Sequence, residues 1–528
     1  MERFPEQGRA PLRINYWNSS CGLALVAEGD IVMKRKKISY PDNAWLRLDD
    51  PNNLMVITGL MTFDEPLDYE RLKAIIEQSF LRFTRFRQRL VPPEPPFMRP
   101  YWEDDPNFDL DAHLERLKLP SPADQETLQN LISGLMSKGF DYTRPLWQFY
   151  LVENYGNGGA LIARLHHSIG DGISLLQLLL SMTTTVPNIS INDHFENTAQ
   201  YANQSPTAPG KTLKSSVLNE VKWSSQSLWE EGKKIICDPS HARYRTLQVI
   251  DLAASASRLA LRLPDPPTVF KGSLGIEKCV AWSEPIELAD VKYIGKTFNS
   301  TVNDVLISAV SGALGHYTEN RGETTKGVSI HSFIPINLRP VKLDEELGNK
   351  FGMVILSLPI GIDDPVRRLR RIKHNMDELK SSSEAIATFG IINLLGAVPP
   401  RFEEMLADFF DTKGTLIMTN VPGPQLQLYL AGAPINTLMA WVPQTGRIAF
   451  GVSIVSYNGK VWLSVASDKG LVPDPETVIT YFNDEFREMK LLAQETQAER
   501  QKYLKPMLSK LDEAIQTLDE LLAEENKG

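Results

Sequence analysis

The sequence predicts an α/β or mixed α+β fold, and three features of the chain carry that prediction. Apolar runs of strand length alternate with amphipathic helical patterns on both sides of a polar middle region at 186–272. Turns rich in glycine and asparagine, at 154–159 and 457–460, join neighbouring strand runs into two hairpins. A length of 528 residues exceeds what one ordinary hydrophobic core organises, so we expect two domains or three.

Composition and charge narrow the class of protein. The hydrophobic share of 42% and the charged share of 23% are typical of a soluble globular protein, and no apolar run reaches the roughly 18 residues of a transmembrane helix. A formal net charge of −9 argues against bulk nucleic-acid binding, which needs a basic surface. The cysteines, Cys21, Cys237 and Cys279, lie far apart without a C-x-x-C pair. This spacing indicates neither a zinc site nor a disulfide framework, and a reducing compartment is expected.

The patterns divide the chain into five segments, and the boundaries follow changes in composition. They are a disordered leader at 1–37, a first domain at 38–185, a crossover linker at 186–272, a second domain at 273–490 and a helical tail at 491–528. A start site near Met33 is an alternative interpretation of the leader, which carries scattered charges and prolines. For the crossover, a plain linker is favoured over a lid or a membrane-contact element.

The first domain has well-marked element boundaries. A strand is predicted at 53–63, followed by a helix that Asp68 can cap. Another helix is expected to start at Ser121-Pro122, with serine as the N-cap and proline at the first helical position. The strand at 144–152 and the apolar run at 160–165 then form the first hairpin.

The second domain repeats the alternation of strands and helices. Strands are predicted at 279–282, 328–336, 353–359, 415–419, 448–455 and 461–466, with helices at 302–314 and 364–379. The apolar segment at 385–410 is interpreted as buried helices, with a lipid-facing surface as the alternative. In the tail, a narrow apolar stripe with spacing 3-4-3-4 predicts a helix that docks on the body or self-associates; its members are Leu508, Leu511, Ile515, Leu518 and Leu522.

The chemistry of the chain is expected at one short stretch around two adjacent histidines. His166 and His167 end the apolar run at 160–165, and Asp171-Gly172 follows after three intervening residues. The histidines therefore lie at the C-terminal end of a strand, where α/β sheets place their functional groups. Imidazole titrates near neutrality, so one of the two histidines is our candidate for a general base, and strand alternation points their side chains in different directions.

The residues after the histidines are expected to shape the turn into the following helix. We expect Asp171 to hold the turn through a salt bridge to an arginine and Gly172 to let the backbone pass close to the helix start. A metal site would need a third ligand that no nearby pattern supplies, and a serine hydrolase would need a G-x-S-x-G elbow that is missing from the sequence. A structural role for both histidines stays open.

The stretch resembles the H-H-x-x-x-D-G motif of the CoA-dependent acyltransferase superfamily, which includes condensation domains and chloramphenicol acetyltransferase-like enzymes. Further segments resemble the bacterial-type wax ester synthase/diacylglycerol acyltransferases from about Ile38 to Arg487. These segments are Pro145-Leu146-Trp147 (P-L-W), Asn303-Asp304 (N-D), 420–424 (N-V-P-G-P), 456–459 and 471–474, and 347–350 approximates the family's G-N pattern.

This resemblance implies two chloramphenicol acetyltransferase-like halves, each a mixed sheet with helices, which meet at a substrate channel. It implies that His167 removes the proton of the acceptor hydroxyl as that hydroxyl attacks the acyl-CoA thioester, without an acyl-enzyme. His166 and Asp171 would support the geometry, with Arg339 as the candidate partner of Asp171. Asn303 and Asp304 would help bind the thioester, with helix N-capping as the alternative. Residues 145–147 and 420–424 are interpreted as packing and turn residues, with lining of the acyl tunnel as the alternative for Trp147.

The expected function is therefore acyl transfer from fatty acyl-CoA to diacylglycerol or a long-chain alcohol. Acyl-CoA is the co-substrate, and no cofactor or metal is expected. Since these acceptors are insoluble, a cytoplasmic enzyme that works peripherally at a membrane or lipid-droplet surface, as a monomer or homodimer, is expected. The alternatives are an inactive lipid-binding protein and a condensation-type enzyme that uses another acceptor.

Overall fold

The computed structural model describes residues 35–95, 98–187, 261–338, 348–380, 382, 384–397, 412–444 and 446–525. The expected leader up to residue 34, the crossover from 188 to 260 and the apolar segment from 398 to 410 lie outside these residues. Across the described residues, the secondary structure alternates as the sequence predicts, and the fold is a mixed α/β fold with two larger sheets and one small sheet.

The elements up to residue 187 are, in chain order, β1 (Lys36–Lys37), α1 (Tyr40–Arg47), β2 (Val56–Phe63), α2 (Tyr69–Ile75), β3 (Gln88–Val91), β4 (Tyr101–Asp104), β5 (Leu114–Leu117), α3 (Gln125–Met136), β6 (Trp147–Val152), β7 (Gly159–His166) and α4 (Gly172–Leu180). The later elements are β8 (Lys278–Trp282), β9 (Ile286–Glu287), α5 (Leu288–Thr297), α6 (Val302–Asn320), β10 (Ile330–Asn337), β11 (Phe351–Leu358), α7 (Pro365–Lys380), α8 (Glu384–Ala397), β12 (Leu416–Pro422), β13 (Tyr429–Leu430), β14 (Ala433–Trp441), β15 (Phe450–Tyr457), β16 (Lys460–Asp468) and α9 (Pro475–Glu525).

Two mixed sheets form the framework of the molecule. The first sheet has the strand order β13-β14-β2-β7-β6-β5, in which only β5 and β6 pair in parallel. The second has the order β11-β10-β12-β15-β16-β8, with β9 also pairing with β16, and β12 lies parallel to both of its neighbours. A small sheet, β1-β4-β3, stands apart. One buried apolar cluster contains most of the first sheet together with residues of the second sheet such as Trp282, Val455 and Trp462. Another lies within the second sheet and its helices.

Both predicted hairpins are present. Strands β6 and β7 pair antiparallel after the turn at 154–159, and β15 pairs with β16 along its whole length. In the second turn Asn458 and Gly459 both have positive φ, at 47° and 78°, which suits an Asn-Gly type I′ hairpin turn. The right-handed twist of the flanking strands favours this turn, so the Asn-Gly pair specifies the hairpin locally.

One strand crosses between the two halves of the chain, of which the first ends at residue 187 and the second begins at residue 261. β14 belongs to the later part of the chain, yet it pairs antiparallel with β2 and thereby extends the sheet that carries the histidines. The sequence patterns did not predict β14, whose burial alternates irregularly because one residue is shifted in register near Ile435. The two halves are consequently joined by backbone hydrogen bonds as well as by side-chain packing.

The predicted cap of α2 is confirmed, and that of α3 is wrong. The Asp68 carboxylate accepts a hydrogen bond from the Arg71 backbone N–H at 3.1 Å and starts α2. The α3 helix begins only at Gln125, because Asp124 accepts from the Thr127 backbone N–H at 3.0 Å and acts as the N-cap in place of Ser121. A carboxylate aimed at the third helical N–H satisfies an otherwise unpaired donor.

The tail is the continuation of a long helix. The first part of α9 is buried against the second sheet's helices through Phe482, Met489 and Ala493, whereas Leu511 and Ile515 farther along are half exposed. Among the described residues, no helix is both long enough and apolar enough to span a bilayer.

Candidate functional site

The histidine pair lies at the end of β7, which is an inner strand of the first sheet. The His166 backbone N–H donates to the Leu146 carbonyl at 2.9 Å, and the His167 N–H donates to the Met55 carbonyl at 2.8 Å. Segments on both sides of β7 therefore hold the backbone at the histidines. This placement confirms the prediction that the pair follows a buried strand and precedes a helix.

The His166 ring is held by hydrogen bonds on both of its nitrogens. The Ser168 backbone N–H donates to His166 Nδ1 at 3.1 Å, so Nδ1 accepts and the proton of the neutral ring is on Nε2. Nε2 lies 3.6 Å from an Asp49 carboxylate oxygen and 3.4 Å from the Tyr142 hydroxyl, which itself donates to Asp49. These partners fix the His166 ring within a buried network.

His167 has a different environment, which is aromatic. Its ring stacks on Trp45 of α1 with 4.3 Å between centroids and 26° between planes, and Phe351 at the start of β11 lies 5.5 Å away. The residue is 6% exposed, and within the described part of the chain His167 Nδ1 has no hydrogen-bond partner. Burial lowers the pKa of His167 to about 4, although the nearby negative charge of Asp171 acts in the opposite direction.

Asn349, from the second half, hydrogen-bonds to the backbone at His167. Asn349 Nδ2 donates to the His167 carbonyl at 2.8 Å and to Asp42 Oδ1 at 2.8 Å, and the Asn349 backbone N–H donates to the same Asp42 oxygen at 2.9 Å. All three residues are buried. Helix α1 therefore contributes two residues near His167. Asp42 accepts the hydrogen bonds of Asn349, and Trp45 stacks on the His167 ring.

Asp171 caps the helix that follows the histidines. Its Oδ1 accepts from the Ser174 backbone N–H at 2.9 Å, and its Oδ2 accepts from the Lys350 backbone N–H at 3.2 Å. The carboxylate therefore holds the turn, as expected, and also binds the second half. The expected arginine partner, Arg339, lies outside the described residues.

Gly172 is the first residue of α4, and the expectation that a glycine lets the backbone pass close to the helix start is wrong, because the space around it does not require one. A Cβ atom at this position would meet only the Ile57 side chain at 3.9 Å, which is ordinary van der Waals contact. A residue with a Cβ atom would therefore fit at this position.

The N-D and N-V-P-G-P segments meet in the second half. Asn420 Nδ2 donates to Asn303 Oδ1 at 2.7 Å, which links the end of β12 to the start of α6. Asp304 forms a capping box with Thr301, in which each side chain accepts from the other residue's backbone N–H. The N-capping alternative therefore describes Asp304, whose buried Oδ1 has no partner in the described part of the chain.

Trp147 packs inside the first half. Its Nε1 donates to the Phe86 carbonyl at 2.8 Å, and its ring stacks on His113 at 4.5 Å. Neither Trp147 nor the Asn303-Asp304 pair hydrogen-bonds to or stacks on His167 among the described residues.

A separate cleft lies where the halves meet. It has a volume of about 460 Å³ and is lined by side chains that include Phe63, Asp64, Tyr155, Trp282 and Trp462. Phe63 pairs with Gly159 at the start of β7, whereas Val56 pairs with His166 at its end, so the cleft is at the opposite end of the strands from the histidines.

The arrangement suits proton transfer. A neutral, buried imidazole accepts a proton from a hydroxyl group brought against it, and the fixed network around His166 serves to hold the neighbouring backbone. Within the described ranges, no group of three or more His, Cys, Asp or Glu side chains is placed to hold a metal ion.

Local sequence patterns missed several residues of this site. Asp42 and Trp45 lie on α1, which was not predicted, and Asp49 and Tyr142 lie in ordinary-looking segments. Asn349 was marked only through its resemblance to a G-N pattern. These residues come close to the histidines only in the folded chain, so no signal in the sequence alone identifies their contacts.

Comparison with known proteins agrees with the resemblance in sequence. Residues 38–306 match the model of the wax ester synthase/diacylglycerol acyltransferase catalytic domain, and residues 347–490 match that of the WS/DGAT C-terminal domain. A Mycobacterium tuberculosis protein that bears the name diacylglycerol O-acyltransferase is 25% identical over 470 residues, covering 86% of this chain and 90% of the relative. A Mycobacterium bovis relative of the same name is 25% identical over 450 residues, covering 82% and 91%.

Solved structures show the same fold. The wax ester synthase/diacylglycerol acyltransferase of Marinobacter aquaeolei VT8 superposes with a TM-score of 0.61 at 20% identity, covering 87% of this chain and 100% of the other. The first condensation domain of the calcium-dependent antibiotic synthetase gives a TM-score of 0.55 at 15% identity, covering 87% and 96%.

Proposed function

Because the chain belongs to the wax ester synthase/diacylglycerol acyltransferase family, we propose that this acyltransferase moves a fatty acyl group from acyl-CoA to the hydroxyl of diacylglycerol. The relatives that cover most of the chain bear the name diacylglycerol O-acyltransferase, which supports this choice of acceptor. His167 is the proposed general base.

The contrast between the two histidines carries the assignment of the base. His166 accepts a hydrogen bond from Ser168 and faces Asp49 and Tyr142, so both of its ring nitrogens already have protein partners. His167 has an unpartnered Nδ1 and a lowered pKa, so at neutral pH its ring is an unprotonated acceptor. A base must be unprotonated before it can take the hydroxyl proton.

The proposed reaction is a direct displacement at the thioester. The acceptor oxygen forms a bond to the acyl carbonyl carbon while His167 takes the hydroxyl proton. The carbon–sulfur bond then breaks, and the CoA sulfur leaves with the proton returned by His167. No acyl-enzyme forms, and acyl-CoA is the only co-substrate that the reaction needs.

The other site residues have supporting parts in this proposal. Asp171 and Asn349 hold the turn and the His167 backbone. Asn303 is proposed to bind the thioester carbonyl, with Asp304 fixing the helix start. Trp147, which is 1% exposed, is proposed to support from within the core the wall along which an acyl chain would pass.

An acyl-transfer assay tests the proposal. Purified protein is given radiolabelled palmitoyl-CoA with dioleoylglycerol or with hexadecanol, in mixed vesicles, and the lipid products are separated. We expect triacylglycerol with the wild type and a loss of about 100-fold to 10,000-fold with His167→Gln or His167→Ala. His374→Ala is the matched control, since His374 is an exposed histidine on α7, and we expect full activity from it.

Distinct results would contradict distinct parts of the proposal. Activity that survives both His167 substitutions would exclude the base assignment, provided that circular dichroism shows both variants folded. Ester formation with hexadecanol alone would replace diacylglycerol by a long-chain alcohol as the acceptor. Turnover of neither acceptor would favour an inactive lipid-binding protein or another acceptor class. Recovery of the protein with pelleted vesicles would support the proposed peripheral association with a lipid surface.

A further inference from the structure

The indole of Trp45 covers one face of the proposed base. The two rings lie 4.3 Å apart at their centroids with 26° between planes, so the imidazole lies over the face of the indole rather than at its edge. Trp45 is 3% exposed and also stacks on Phe351 at 5.5 Å. The contact between the rings is therefore fixed and excludes water.

A tryptophan at this position has an energetic cost. Trp45 Nε1 is buried and has no hydrogen-bond partner within the described residues. An unpaired buried N–H donor is unfavourable, and a phenylalanine or leucine would fill apolar space without it. A tryptophan here must offset the cost of its unpaired N–H by another interaction. Compared with phenylalanine or leucine, an indole offers the greatest negative potential over its ring face.

We propose that Trp45 is a positioning residue whose indole face stabilises the imidazolium that His167 becomes during acyl transfer. The inference rests on the proposed function of His167 as the base. A cation within about 6 Å of an indole centroid is attracted to the ring, and the attraction is strongest where water is excluded. The neutral imidazole gains less than the imidazolium does, so the contact favours the transition state over the ground state.

The indole acts together with polar groups around the ring. Asp171 and the Asn349 side chain favour the protonated form of His167, while the Asp171 carboxylate oxygens also accept hydrogen bonds from Ser174 and Lys350. His166 disfavours protonation of its neighbour. Trp45 is the residue whose face is in direct stacked contact with the His167 ring.

A series of fluorinated tryptophans tests the proposal without changing the shape of the side chain. Tryptophan analogues with increasing numbers of ring fluorines are placed at position 45 by amber suppression, and the single-turnover rate of acyl transfer from palmitoyl-CoA is measured. Each fluorine weakens the negative potential of the ring face. We expect the rate to fall stepwise, by about tenfold across the series, which corresponds to about 1.4 kcal/mol.

Trp441 provides the matched control. It is equally buried, its Nε1 donates to the Val465 carbonyl at 3.1 Å, and its ring contacts Trp282 rather than a histidine. The same analogues at position 441 should leave the rate unchanged.

Two results at position 45 would overturn the proposal. An unchanged rate would show that the ring acts only by its shape. A rate that rises with fluorination would assign Nε1–H as a hydrogen-bond donor to the reacting acyl group, because fluorine makes the indole N–H a stronger donor.

A second readout separates this inference from the proposed function. The pKa of His167, followed by NMR of carbon-13-labelled histidine, should fall as fluorines are added at position 45, whether or not the protein transfers acyl groups. If the wild type converts neither acceptor, the proposed function fails and the titration alone decides the Trp45–His167 interaction. A pKa that does not move along the series would overturn that interaction.

Discussion

His167 should stay unprotonated at a pH where an exposed histidine is largely charged. Burial lowers its pKa from 6.5 to about 4 in the folded protein. Above about pH 8 neither the folded nor the unfolded chain carries a proton here, so the residue contributes no pH dependence to stability. As the pH falls from about 8 to about 4, the unfolded chain takes up the proton first, and the free energy of unfolding decreases.

The size of this effect follows from the two pKa values. At about pH 5 the unfolded chain binds most of one proton at this residue and the folded protein binds about a tenth, which lowers the free energy of unfolding by about 2 kcal/mol. The full loss, reached below about pH 4, is about 3 kcal/mol. His167→Gln removes the titrating group, so it should destabilise less at pH 5 than at pH 7, relative to the wild type, by about 2 kcal/mol.

NMR of carbon-13-labelled histidine measures the titration directly. The His167 signal is assigned by its loss in His167→Gln, and it should stay constant from pH 8 to about pH 5. His316 is an internal reference of opposite sign, because its hydrogen bond with Glu485 raises the pKa of the His316 imidazole. A His167 midpoint near pH 6.5, together with a stability difference that does not change with pH, would refute the reasoning.

Two further predictions concern buried polar contacts. Arg368→Met should destabilise the protein by about 3–5 kcal/mol, because the Glu485 carboxylate, 2% exposed, would lose its buried ion-pair partner. Urea unfolding measures this loss, and Arg370→Met is the control because Arg370 is exposed. Equal unfolding midpoints for the two variants would contradict the prediction. Asn349→Ala should lower the free energy of unfolding by about 1–3 kcal/mol, because the Asp42 carboxylate and the His167 carbonyl would each lose a hydrogen-bond donor. The rate of acyl transfer should fall as well. Unaltered stability and rate would contradict the supporting role of Asn349.

Much of the framework could be predicted because it depends on local patterns. The Asn458-Gly459 turn specifies its own hairpin, and the helix at 302–314 is present as α6 because an apolar face repeats at helical spacing. The family resemblance is likewise confirmed, since its motifs are short and local. By contrast, β14 was missed because its pairing with β2 depends on a partner more than 350 residues away in sequence.

The site was predicted only as far as the histidine motif itself. A strand followed by a turn and a capped helix can be recognised within one stretch of sequence, and Asp171 does cap α4. Trp45 and Asn349 could not be recognised in this way. Asn349 is separated by 182 positions from the residue whose carbonyl it binds, and neither residue type marks a functional site on its own.

The low pKa of His167 is a property of the assembled halves rather than of the motif. Its burial depends on Trp45 from α1, which belongs to the first half, and on Phe351 and Asn349 from the second. Because Asp171 also binds the Lys350 backbone, the turn that carries His167 is held by the same short segment, 349–351, that packs against it. A histidine pair on an isolated strand would be hydrated and would titrate near its ordinary pKa. The two halves must therefore be docked for His167 to be buried and to have its lowered pKa, whereas the network around His166 lies within the first half.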